Sequence, residues 1–126
     1  MSGRSSRINK TSILAVDNAV MFLNSLKRYL QDEPYDLHCL TSGREALKFL
    51  ESNKTDLILL DVEMPEMDGY ELIRRIKQSG VGAPVVFITA NSEKEDMGKA
   101  SAAGAAGVLV KPFRASQLLA KIKEFV

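Results

Sequence analysis

Short apolar runs recur along this chain with almost no polar residue inside them. Ile13-Leu14-Ala15-Val16, Leu57-Ile58-Leu59-Leu60, Val85-Val86-Phe87-Ile88 and Val108-Leu109-Val110 are continuous, and Tyr35 to Leu40 is a weaker fifth run. A strand with no polar face has to be covered on both sides, which is the condition of a parallel sheet rather than of a half-exposed hairpin. Between the runs the apolar spacing changes to a helical period. Phe22, Leu23, Leu26 and Leu30 mark the first helix, and Ala46, Leu47 and Leu50 the second. Leu72, Ile73 and Ile76 mark the third, and Leu118, Leu119, Ile122 and Phe125 the last. Ser42 with Glu45, Asp68 with Glu71 and Ser92 with Glu95 have the spacing of helix-start capping boxes. The helix after Ser92 carries Gly98, Ala102, Ala103 and Gly104. A glycine inside a helix costs about 1 kcal/mol relative to alanine, so this helix is expected to be the least secure. Short strand-to-helix connections require right-handed crossovers. The expected fold class is therefore α/β: a (βα)5 doubly wound five-stranded parallel sheet in a three-layer sandwich.

At 126 residues the chain is the size of one domain. No apolar run approaches the ~18 residues that cross a bilayer. The single Cys39 excludes an internal disulfide and a cysteine metal site. The expectation is a cytoplasmic protein without a membrane segment. Net charge is +1, but Arg4, Arg7 and Lys10 stand in a first ten residues without acids; the remainder holds 14 basic against 16 acidic residues. Residues 1–10 are read as a disordered basic leader and residues 11–126 as the folded domain. A folded part of net −2 does not bind nucleic acid by charge. His38 and Cys39 sit in the weak run, apart from any cluster, and read as packing residues.

The chemistry lies where the apolar runs stop. Asp17 and Asn18 follow the first, Asp61 the third, Thr89 the fourth and Lys111 the fifth. Ligands of open parallel sheets bind outside the carboxyl ends of the strands. Singly, each of these residues also reads as a cap or turn former; four strand ends of this kind together place two acids, an amide, a hydroxyl and an ammonium on one edge. Two close carboxylates repel unless a cation offsets them. Mg²⁺ is held by one or two carboxylates plus waters. A metal beside an ammonium and a hydroxyl suits a phosphoryl group, and a carboxylate can accept one as an aspartyl phosphate.

Asp61-Val62-Glu63-Met64-Pro65-Glu66-Met67-Asp68-Gly69, with Asp17, Thr89-Ala90 and Lys111-Pro112 in order, resembles the response-regulator receiver domains of two-component signalling. The likeness runs from about Ser12 to Val126. It implies the flavodoxin-like strand order 2-1-3-4-5 and a phosphorelay switch rather than an enzyme. Asp61 is the implied phosphoacceptor, charged from a sensor histidine kinase or a histidine phosphotransfer protein. Mg²⁺ is the implied cofactor, held by Asp17, Asp61, the Glu63 backbone carbonyl and the position of Asn18. Thr89 then bonds the phosphoryl group, and Lys111 pairs with it, or with Asp61 before transfer. Ala90 leaves the approach open, and the Lys111-Pro112 bond is cis in such domains. Glu63 and Asn91 occupy positions that tune phosphate lifetime. A downstream protein is engaged through the face of helix 4, strand 5 and helix 5, with no nucleic acid or membrane contact by this domain and homodimerisation open.

The sequence departs from that pattern twice. Asn18 stands where a second acid is the direct metal ligand, so weaker Mg²⁺ binding is expected. Val108 stands where a switch aromatic is expected, so no ring rotates there. These departures motivate an alternative: a receiver-like protein-interaction scaffold that is never phosphorylated. A phosphotransferase of the Asp-x-Asp-x-Thr kind would need different residues at Glu63 and Pro65. A nucleotide binder would need a glycine-rich turn opening a helix, whereas Gly80-Val81-Gly82 precedes a strand.

Overall fold

The computed structural model describes residues 10–90 and 94–126. Each apolar run forms a strand: β1 (Thr11–Val16), β2 (Tyr35–Leu40), β3 (Leu57–Asp61), β4 (Val85–Thr89) and β5 (Gly107–Val110). The helices between and after them are α1 (Val20–Leu30), α2 (Gly43–Ser52), α3 (Gly69–Gln78), α4 (Lys94–Ala102) and α5 (Ala115–Lys123). All pairings are parallel and the strand order is β2-β1-β3-β4-β5, as the resemblance implied. β3 and β4 are buried at every position, which accounts for their unbroken apolar sequence. β2 is an edge strand and only half-buried, apart from an exposed Asp36; partial cover is the reason its pattern is weak.

Two cores lie on opposite faces of the sheet. Alternate side chains Ile13, Ala15, Leu57, Leu59, Val86 and Ile88 pack with Leu23, Leu26 and Leu30 of α1 and Leu118 and Ile122 of α5. Leu14, Val16, Ile58, Leu60, Val85 and Phe87 pack with Ala46 of α2, Leu72, Ile73 and Ile76 of α3 and Ala100 of α4. Because successive side chains point to opposite faces, Asp61 extends the row of Leu57 and Leu59, whereas Thr89 extends the row of Val85 and Phe87. Phe22 is half-buried at the rim of the α1 stripe, and Leu119 and Phe125 pack partly buried against the same core. α5 ends before Phe125.

Helix starts follow the sequence closely. The Asp68 carboxylate accepts from the Glu71 N–H at 2.9 Å, and the Ser42 hydroxyl from the Glu45 N–H at 3.1 Å. The return half of the second box differs: Glu45 accepts from the Thr41 N–H and hydroxyl, at 3.3 and 3.1 Å, instead of from Ser42. Ser92, and Asn91 beside it, lie outside the described residues. Gly80, with φ of +89°, ends α3, a conformation that L side chains resist. Tyr70 of α3 meets Phe87 edge-on at 5.2 Å between centroids, and Lys99 of α4 lies 5.1 Å from the Tyr70 ring. His38 contacts Asp36 at 3.2 Å and Phe49. Burial raises the Cys39 thiol pKa, which fits a small apolar packing role.

Candidate functional site

Parallel pairing levels the carboxyl ends of the strands and brings their terminal polar residues to one edge. Val16 pairs with Leu60, Asp61 with Ile88 and Thr89 with Val110. Asp17, Asp61 and Thr89, with relative exposures of 1%, 6% and 5%, are the buried polar or charged side chains among the described residues. Burying polar groups is costly unless they are partnered, and all three stand at this one edge. Lys111 is attached to the end of β4 by its backbone, whose N–H donates to the Thr89 carbonyl at 2.7 Å.

The side-chain pairing differs from the expectation for Lys111. Its ammonium donates to Asp17 Oδ2 at 3.0 Å; the ion pair is therefore with Asp17 rather than Asp61. β3 and β4 stand between β1 and β5 in the sheet, so the loop after β5 carries the lysine toward Asp17. Asp17 is the most buried acid in the cluster, and an uncompensated charge there would be the most costly. Asp17 Oδ1 accepts from the Ala19 N–H at 2.8 Å, while Asp61 Oδ1 accepts from the Glu63 N–H at 3.1 Å. The Lys111 ammonium also sits 4.0 Å above the centre of the Phe22 ring. The Lys111-Pro112 peptide is cis, as the resemblance implied.

Burial pushes the Asp61 carboxyl up to about 6, and the nearby charges of Asp17 and Glu63 push the same way. The Glu63 N–H and the Lys111 ammonium oppose them. A carboxylate in this condition gains from a cation placed between it and Asp17. The donor set of two carboxylates with neutral oxygens nearby suits Mg²⁺. Asn18 and the Glu63 side chain are exposed beside the pair, and so is Ala90. Among the described residues no group of three or more His, Cys, Asp or Glu side chains is arranged to hold a metal; the neutral Asn18 keeps the acids at two. Val108 is half-buried opposite Phe87 in the sheet and packs against the same core that Tyr70 borders.

Two residues gain importance that the sequence did not give them. Phe22 reads as one more member of the α1 apolar stripe, and only its closeness to Asp17 in the chain hints at the site. Gly69 enters in sequence only as the last residue of the motif at 61–69, yet a Cβ there would lie 2.8 Å from Val62 Cα and 2.9 Å from the Asp61 carbonyl oxygen.

A family model, the response regulator receiver domain, matches residues 13–123. The transcriptional regulatory protein CrdR of Helicobacter pylori is 36% identical over 90% of this chain, and the response regulator SaeR of Staphylococcus aureus 31% over 92%. The chain spans about half the length of these relatives, 54% and 50% respectively. Among solved structures, the chemotaxis response regulator CheY4 of Vibrio cholerae superposes with a TM-score of 0.88 at 30% identity, covering 94% of this chain and 100% of that one. A receiver domain from Vibrio parahaemolyticus gives 0.87 at 29%, covering 92% and 89%.

Proposed function

The chain belongs to the response regulator receiver domain family, the receiving modules of two-component phosphorelays, and from that membership we propose that Asp61 is its phosphoacceptor. The observation that carries this reading is the collection of the buried Asp17, Asp61 and Thr89 with Lys111 at one edge. In the proposed step an Asp61 oxygen bonds to the phosphorus of a phosphohistidine. The P–N bond breaks, and its electron pair leaves on the imidazole nitrogen. Lys111 and the Thr89 hydroxyl neutralise and bond the incoming phosphoryl oxygens. Asp17, Asp61, the Glu63 carbonyl and Asn18 would hold Mg²⁺, which supplies charge neutralisation to the carboxylates and phosphoryl oxygens. Exposed Glu63, with Asn91, tunes phosphate lifetime, and the small Ala90 leaves the site accessible.

The donor is a sensor histidine kinase or a histidine phosphotransfer protein in the cytoplasm. Output passes to a downstream protein through α4, β5 and α5, with the glycine- and alanine-rich α4 as the movable part and homodimerisation as one mode open to it. No helix among the described residues is long and apolar enough to cross a membrane. A scaffold that is never phosphorylated is not favoured by relatives that are response regulators.

Incubation with a small phosphodonor and Mg²⁺ tests the reading. Intact-mass measurement should give a gain of one phosphoryl group, and peptide mapping should place it on Asp61. No gain in a protein folded by circular dichroism would remove the proposal. The metal is tested separately. Asn18→Asp adds a third carboxylate and should tighten Mg²⁺ about tenfold in calorimetric titration; equal affinity in both proteins would show that residue 18 does not contact the ion.

A further inference from the structure

We infer that Phe22 is a positioning residue for phosphoryl transfer, acting through Lys111; the inference rests on the assignment of Asp61 as phosphoacceptor. The Lys111 ammonium has two neighbours of different kind. One is Asp17 Oδ2 at 3.0 Å, and the other is the face of the Phe22 ring, 4.0 Å from its centroid. An aromatic face carries negative charge density that attracts a cation, most strongly where water is partly excluded. The lysine side chain is only 25% exposed, so the attraction between ammonium and ring is not fully screened by water.

The ring is itself fixed. Phe113 meets Phe22 edge-on, with centroids 5.8 Å apart and planes at 86°. Phe113 is buried and belongs to the same loop as Lys111, two residues further on. A single loop thus supplies both the cation and the clamp on the ring beneath it, while α1 supplies the ring. A lysine is a flexible four-carbon stem with much rotamer freedom. Confinement between ring and carboxylate holds its charge at the site edge before a phosphoryl group arrives, and such preorganisation speeds transfer. A residue that merely filled the core would present its ring to apolar side chains on both faces. Here one face is given to the site lysine.

The full chain is tested with four variants: Phe22→Leu, Phe22→Tyr, Lys111→Met and the Phe22→Leu/Lys111→Met double variant. The first readout is NMR. Lys111 Hε protons over a ring face are shifted upfield; the shift should vanish in Phe22→Leu and persist in Phe22→Tyr. The second readout is the rate of phosphoryl gain from a small phosphodonor with Mg²⁺. Phe22→Leu should slow it about fivefold and Phe22→Tyr should restore it. In the Lys111→Met background, Phe22→Leu should change nothing further. An equal slowing with and without Lys111, or an unshifted Lys111 resonance in the native protein, overturns the inference. If the native protein gains no phosphoryl group, the phosphoacceptor assignment fails and the inference with it, while the resonance still reports whether the ring holds the lysine.

Discussion

Asp61→Asn is expected to abolish phosphoryl uptake and, at pH 7.5 in the presence of a chelator, to make the protein more stable. Both effects come from one carboxylate. The amide oxygen of asparagine can still accept the Glu63 N–H bond made by Asp61 Oδ1, but it presents no nucleophilic carboxylate. The stability effect follows from the raised pKa, about 6 against an ordinary 3.8. A carboxyl whose pKa is raised on folding binds its proton more tightly in the folded state. Its cost is absent well below pH 4, grows between about 4 and 6, and is complete above 6. At 1.36 kcal/mol per pH unit the ceiling is about 3 kcal/mol, and the site is near enough to solvent that about 1–2 kcal/mol is expected. Thermal unfolding should place the variant several degrees above the native protein at pH 7.5, and the gap should close toward pH 4. Saturating Mg²⁺ should narrow it, because the cation offsets the same repulsion. A variant that is less stable at pH 7.5, or a gap independent of pH, would show that the Asp61 charge is not under strain in the fold.

Gly69→Ala is expected to cost about 2–3 kcal/mol and to slow phosphoryl uptake. The added methyl would fall 2.8 Å from Val62 Cα and 2.9 Å from the Asp61 carbonyl oxygen. Both are backbone atoms, so no side-chain rotation relieves the clash. The Gly69 N–H also donates to the Val62 carbonyl at 2.8 Å, fastening the start of α3 onto the loop that follows Asp61. Moving α3 away breaks that bond and displaces the Glu63 N–H from Asp61. Gly98→Ala in α4 is the control of opposite sign. Nothing lies within 4 Å of a Cβ built there, so alanine should stabilise by about 0.5–1 kcal/mol through helix propensity and a less flexible unfolded chain. Urea unfolding of the pair decides it: a Gly69→Ala protein as stable as the native one would mean that the loop and α3 yield to the extra methyl.

Strands were legible because full burial leaves no room for a polar residue, and β3 and β4 carry that rule to every position. The gathering of Asp17, Asp61, Thr89 and Lys111 at one edge was legible because four of the five runs end at a polar side chain once they leave the core. The identities of the partners were not. Whether the Lys111 ammonium meets Asp17 or Asp61 depends on where the loop after β5 and a flexible stem set the charge, and no spacing encodes that. The role of Phe22 depends on the rotation of α1, which presents Leu23 and Leu26 inward and leaves the neighbouring ring at the rim. The steric need at Gly69 is a matter of backbone proximity between two segments, which membership of a motif does not measure. Tyr70 acquires Phe87 as a neighbour only when α3 packs on β4, and Lys99 only when α4 comes near its ring.

Asp61 and Thr89 come from rows that face opposite layers of the sandwich. A phosphoryl group bound to both would act as a rivet driven through the sheet at its rim, joining packings that lie on opposite sides of the strand backbones. Its arrival would thereby be felt in α1 and α5 on one side as well as in α3 and α4 on the other.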